Sequence, residues 1–195
     1  GVSYLTDIVV STDDQEIANI ASELGASVPF IRPKNLANDR ALTAPVVRHA
    51  IDFMENLNGM QYDAILLLQP TSPFRKSKHI IKAIEIFETN NYDSLVSIVN
   101  VDGYHPFRMK RLVEDKLINF IDQGFWDMRP RQSLPKVYIR NGSIYLCTRD
   151  VIVNEGELIG KNCYGMEMNE FESINIDSKI DLMVAESILR EGLID

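Results

Sequence analysis

Cysteine occurs only twice in 195 residues and tryptophan once, and no apolar run approaches the roughly 18 residues that would cross a bilayer. Cys147 and Cys163 stand alone, with no C-x-x-C pair or metal-ligand spacing, which excludes zinc and points to reduced thiols in a reducing compartment. The N-terminus carries no basic-then-apolar signal pattern, so a cytoplasmic protein without membrane attachment is expected. Also absent are a G-x-G-x-x-G fingerprint, a G-x-x-x-x-G-K-[ST] loop and any kinase signature, which sets aside ordinary dinucleotide and P-loop chemistry. His49, His79 and His105 have no Ser, Cys or carboxylate at suggestive spacing, so they read as core or surface residues and not as part of a hydrolase triad. Basic residues are in deficit, 20 against 28 acids, and the net charge of −8 argues against non-specific nucleic-acid binding.

That deficit is uneven. Between Arg108 and Arg140 the chain carries a local net charge of +4, leaving −12 on the remainder. A solvated basic face is the ordinary meaning of such a cluster, and a pocket for an anionic substrate is the competing one. With 45% hydrophobic residues the length suits one well-buried domain.

Apolar segments alternate between two periodicities. A strand at 8–10 is followed by Thr12 and Gln15 at capping-box spacing, then by Ile17, Ile20, Ala21 and Leu24 as the buried stripe of a helix that Gly25 ends. A strand this close to Gly1 implies that a natural N-terminal segment precedes the sequence as given. Residues 28–31 read as a short extended piece, and Thr43 caps a second helix with Pro45 in its first turn and Val47, Ala50, Ile51 and Met54 inward. Ser77 caps a third, with Ile80, Ile81, Ile84 and Phe87 as its apolar face, and 94–101 is a strand. Strands alternating with helices signify a layered sheet covered on both faces. The rhythm breaks at 102–136, whose Pro106, Pro130, Pro135 and Phe125-Trp126 pair read as an insertion leaving the sheet. At 137–146 strand character returns, and Asn141-Gly142 fits either a hairpin turn or a close-approach glycine inside one long strand. Ser178 and Asp181 stand at capping-box spacing before a last helix.

Two places concentrate polar chemistry. The apolar run 64–68 stops abruptly at Gln69-Pro70-Thr71-Ser72-Pro73-Phe74-Arg75, as expected of a parallel strand buried on both faces whose carboxyl end opens on a ligand site. Gln69 offers an amide suited to a base edge, and Arg75 adds a fixed positive charge. Near the end, Asn175 and Asp177 lie two apart in an extended segment and so share a face, which suits a magnesium ion that keeps its waters; the alternative is that Asp177 merely caps the last helix.

Six blocks in register carry a family resemblance: Val9-Val10-Ser11-Thr12-Asp13; Ile31-Arg32-Pro33 with Leu36-Ala37-Asn38-Asp39; Leu67-Leu68-Gln69-Pro70-Thr71-Ser72-Pro73; Pro130-Arg131-Gln132-Ser133-Leu134-Pro135; Asn141-Gly142-Ser143-Ile144-Tyr145; and Asn175-Ile176-Asp177-Ser178. Together they resemble the acylneuraminate cytidylyltransferases, or CMP-sialic acid synthetases. The resemblance implies an α/β, Rossmann-like nucleotidyltransferase fold: one domain over 1–195 with a mainly parallel sheet, helices on both faces, and an inserted dimerisation arm at about 102–136 that makes a homodimer. It implies transfer of CMP from CTP to the anomeric hydroxyl of a nine-carbon sugar acid, with release of pyrophosphate and with Mg2+ as cofactor. By the same analogy Arg32, Ala41, Thr43 and Gln69 fall at cytidine and ribose positions, and Arg131, Asn141 and Tyr145 at sugar-acid positions. Asp177 falls at a magnesium position beside Asn175, where many members carry an aspartate, and Asp177 and Arg131 are the residues implied in catalysis. The family's glycine-, arginine- and lysine-bearing triphosphate loop would precede the first strand, so the sequence as given is expected to lack it. A legionaminic or pseudaminic acid substrate is the near alternative, and a non-catalytic nucleotide- or sugar-acid-binding module the distant one.

Overall fold

The computed structural model describes residues 4–38 and 40–194; Asp39 of the second block and Gly1 lie outside them. Its centre is a four-stranded sheet of β1 (Ala64–Leu67), β2 (Ser94–Asn100), β5 (Tyr138–Thr148) and β6 (Cys163–Glu167), in the order β1-β5-β2-β6. Strands β1, β2 and β6 run one way. Between them β5 runs the other, pairing antiparallel with both β1 and β2, while β2 and β6 pair parallel. The sheet is therefore mixed, with three of its four strands running one way and β5 antiparallel among them. A strand buried on both faces reads as continuous apolar sequence whatever its direction, so the pattern cannot encode polarity.

Period-two alternation along β5 sends side chains to two cores. Ile144 and Leu146 meet Leu95, Met166, Met168 and the face of α3 (Ser77–Thr89) that presents Ala83 and Ile84. Cys147 points the other way, onto Val47 and Ile51 of α2 (Thr43–Asn58) and Val151 and Ile152 of α4 (Arg149–Val153). Helices thus cover both faces. Full burial of a side chain such as Leu95 is worth about 1.5–3 kcal/mol. A third cluster seats Ala185 and Ile188 of α5 (Lys179–Arg190) on Phe74, Phe171, Ile174 and Ile176, which ties the last helix to the loop after β1.

The first forty residues depart most from expectation. Positions 8–10 form no ladder: Val9 bridges Ser27 and Thr12 bridges Ile31, each as an isolated parallel bridge. Helix α1 (Gln15–Glu23) is capped by Asp14, whose carboxylate accepts from the Glu16 and Ile17 amides, and not by Thr12. Gly25 follows it at φ +87°. The stripe expected to be buried is open to solvent, with Ile17, Ile20 and Leu24 at 53%, 50% and 83% exposure. Periodicity reports which face of a helix is apolar, not whether anything lies beneath it. Strand β1 is likewise half-buried along its length.

Residues 103–136 leave the sheet as an arm containing the hairpin β3 (Lys110–Val113) and β4 (Lys116–Asn119), closed by Glu114 and Asp115, both at positive φ. Two central residues in that conformation are the mark of a type I′ turn, here without the usual Asn-Gly. No helix among the described residues is long and apolar enough to cross a membrane.

Candidate active site

Strand β5 passes through Asn141-Gly142 without turning, so the close-approach glycine is the alternative the fold adopts. Gly142 sits at φ +77°, next to the irregularity where the β2 register slips between Val96 and Ile98. A Cβ built there would lie 2.5 Å from Gln69 Oε1 and 3.4 Å from both Ser72 Oγ and Asn175 Oδ1. The loop after β1, the bulge in β5 and the segment before α5 therefore converge on one point. The Ile176 amide reinforces this by donating to the Thr71 carbonyl at 2.8 Å.

Two buried groups hold the convergence in place. Arg75 Nη1 donates to the Ser143 carbonyl at 2.8 Å and to the Gln69 carbonyl at 3.2 Å, and burial lowers its pKa. Its positive charge is spent on bracing the loop against the sheet. Asn141 is the second. Its Oδ1 accepts from Ser97 Oγ at 2.6 Å and the Ser143 amide at 3.1 Å, and its Nδ2 donates to Ser173 Oγ at 2.9 Å. With the side chain sequestered in this network, Asn141 positions the bulge and offers little to a sugar. Tyr145, four positions on, is also buried, opposite Leu67 and Val96 in the sheet.

Asp177 sits at the rim. Ser178 and Asp181 cap α5 reciprocally, so the Asp177 carboxylate is not used as a cap and instead accepts from Asn175 Nδ2. Asn175 Oδ1 is buried without a hydrogen-bond partner. A flip of the Asn175 amide would set its orphaned carbonyl oxygen beside the Asp177 carboxylate, a pair that fits a divalent cation of the magnesium kind, which needs only one or two protein ligands when phosphates and water supply the rest. No cluster of three or more His, Cys, Asp and Glu exists among the described residues, so no all-protein cage competes with this placement.

The remaining candidates lie on neighbouring elements. Arg32 pairs with Asp13 at 2.9 Å and lowers that carboxyl's pKa, and its amide donates to the Thr12 carbonyl. Ala41 donates its amide to Asn38, and Thr43 is the exposed first residue of α2. Arg131 is exposed on a 3-10 turn (Arg131–Ser133) of the arm. The irregular segment before that turn is braced by Asp127, whose carboxyl the Arg129 guanidinium holds down at about 2, and by Arg108 Nη2 on the Arg129 carbonyl. After the turn, His105 Nε2 meets the Pro135 carbonyl at 3.0 Å.

Sequence reasoning missed the network around Glu172. Lys76, Lys78 and His79 all face this carboxylate, which opposes burial to keep its pKa low. His79 Nδ1 accepts from the Lys76 amide and so starts α3. The only signal for it is long-range, since Glu172 lies far along the chain.

Comparison with known proteins accords with this geometry. A family model described as Cytidylyltransferase matches residues 2–116. The chain is 35% identical over 184 residues to post-translational flagellin modification protein B of Campylobacter coli, covering 94% of this chain and 77% of that protein. It is 34% identical over 194 residues to the CMP-N,N'-diacetyllegionaminic acid synthase of Legionella pneumophila, covering 96% and 79%. It is 29% identical over 183 residues to the N-acylneuraminate cytidylyltransferase of Escherichia coli, covering 93% of this chain and 41% of that one. Among solved structures, a CMP:2-keto-3-deoxy-manno-octonic acid synthetase complexed with CTP superposes with a TM-score of 0.62 at 13% identity, over 98% of this chain and 83% of that one, which shows that the two share a fold. An enzyme is thus favoured over a mere binding module, and the chain belongs to the cytidylyltransferase family.

Proposed function

We propose that this protein transfers CMP from CTP to the anomeric hydroxyl of a nine-carbon, sialic-acid-type sugar acid, with release of pyrophosphate. The observation that supports this is the convergence of Gln69, Gly142, Asn175 and Asp177, which brings the Gln69 amide close to the Asn175–Asp177 pair. In the reaction the sugar's anomeric oxygen bonds to the α-phosphorus as the bond from that phosphorus to pyrophosphate breaks, and the hydroxyl proton passes to water or to the departing anion. Asp177 and Asn175 would hold magnesium, which neutralises charge building on the phosphate oxygens. Gln69 orients one substrate by hydrogen bonding, with Arg32, Ala41 and Thr43 lining the nucleotide side. Arg131 supplies a guanidinium for the sugar carboxylate, to which a planar fork donates two bonds.

The acceptor is either N-acetylneuraminic acid or a legionaminic or pseudaminic acid. The 34% identity to a legionaminic acid synthase over nearly the whole chain favours the second class. The arm supports a homodimer. Leu112, Leu117, Phe120, Trp126 and Met128 are each at least half exposed there, and a second copy of this surface would cover them while bringing Arg131 toward the partner's site.

The test is pyrophosphate release from CTP with each sugar acid by the full-length protein. Release that requires CTP and one of these sugars, and that Asp177→Ala abolishes, supports the proposal; a wild-type rate in that variant ends the metal assignment.

A further inference from the structure

We propose that Gly142 determines the orientation of the Gln69 amide, and through it the kind of atom that this rim recognises. The inference rests on Gln69 being a substrate contact. Both backbones at the contact are fixed: Arg75 clamps the Gln69 and Ser143 carbonyls, and Asn141 ties the bulge to β2 and to Ser173. A Cβ at position 142 would meet Gln69 Oε1 at 2.5 Å, so a larger residue there could enter only by displacing the Gln69 amide from its present orientation. What faces the amide instead is a Cα–H group. That group attracts an amide oxygen weakly and disfavours an amide NH2 in the same place.

With Oε1 turned to Gly142, Nε2 is turned away. The described residues give that nitrogen no hydrogen-bond partner. Gln69 therefore presents donors outward, and the group it reads on a substrate is an acceptor. A pyrimidine offers one in the ring nitrogen and carbonyl oxygen of cytosine; an N-acylated sugar acid offers one in its acyl carbonyl. The chemistry is shared, and kinetics separate the two sources.

The experiment is a double-mutant cycle of Gly142→Ala and Gln69→Ala, read by KM for CTP, KM for N-acetylneuraminic or legionaminic acid, kcat and thermal midpoint. Gln69→Ala is expected to raise one of the two KM values about tenfold, the weight of one lost hydrogen bond. Gly142→Ala should raise the same KM by a similar factor with kcat within about twofold, and should add nothing further in the Gln69→Ala background. Its thermal midpoint should fall, and part of that fall should be recovered when Gln69 is shortened, because the Cβ then has room while the backbone strain at positive φ remains. Folding of the double variant alone, with Gly142→Ala unable to fold, counts as the same recovery. Independent KM effects, equal rises in both KM values, no thermal recovery, or failure to fold in both backgrounds overturns the proposal. Unchanged KM values in Gln69→Ala instead remove Gln69 from the site, and the proposal with it; additive effects with a responsive Gln69→Ala leave the site standing and overturn only the role of Gly142.

Discussion

Arg75 and Ser143 are joined by a 2.8 Å hydrogen bond from a half-buried guanidinium to a strand carbonyl, so the loop that follows β1 is fastened to the bulge in β5 by a side chain. Replacing Arg75 with Met leaves two carbonyls without this donor. Urea unfolding should show a loss of about 2–4 kcal/mol with an unchanged m-value.

Asn141 makes its bonds inside the protein. Asn141→Ala should lower stability by about 2–3 kcal/mol, since Ser97, Ser143 and Ser173 all lose a partner. The same variant should raise KM and lower kcat for both substrates through a loosened bulge. A direct sugar contact would instead raise only the sugar KM and leave stability alone.

Acidification should lower folding stability through His79. Burial lowers the His79 pKa below its ordinary 6.5, against the opposing charge of Glu172 and with the help of Lys78 and Lys76. The folded state thus favours the neutral ring, whose contribution is full above pH 6.5 and is lost as pH falls through the folded value. Urea midpoints should decline as pH falls below 6.5, and His79→Gln should flatten that slope.

Asn175→Asp adds a second carboxylate beside Asp177. The half-saturating magnesium concentration, by calorimetry and by pyrophosphate release, should fall at least about threefold. An unchanged value would mean that position 175 does not touch the cation.

The two thiols should separate under a maleimide reagent. Cys147 is 1% exposed and burial pushes its pKa up to about 12, so it should react only on unfolding. Cys163 is partly exposed and should label in the native protein.

Much of this layout can be read from the residues, and the failures have physical causes. Helices α2 and α3 are legible because their apolar positions repeat at helical spacing and are matched by a real core, and α5 because Ser178 and Asp181 form its capping box. The antiparallel course of β5 is not, because an interior strand hides its direction. Nor is the β3–β4 hairpin, since Glu114-Asp115 carries none of the usual turn chemistry. At the site, Gln69, Asn175 and Asp177 are recognisable from where apolar runs end. Asn141 and Arg75 look like ligand-binding groups in sequence and become internal braces in space, a distinction that only the positions of Ser97, Ser173 and Ser143 reveal. The brace of Glu55 on Arg149, 2.7 Å apart, is equally invisible along the chain.

The antiparallel passage of β5 also governs when the molecule can assemble. Ala64 finds its ladder partner in Thr148, about eighty residues later, and β2 needs the same strand. During synthesis residues 64–136, arm included, wait for β5 with the edges of β1 and β2 unmet. Productive expression then depends on how quickly residues 138–148 emerge, and pausing just before them should favour aggregation.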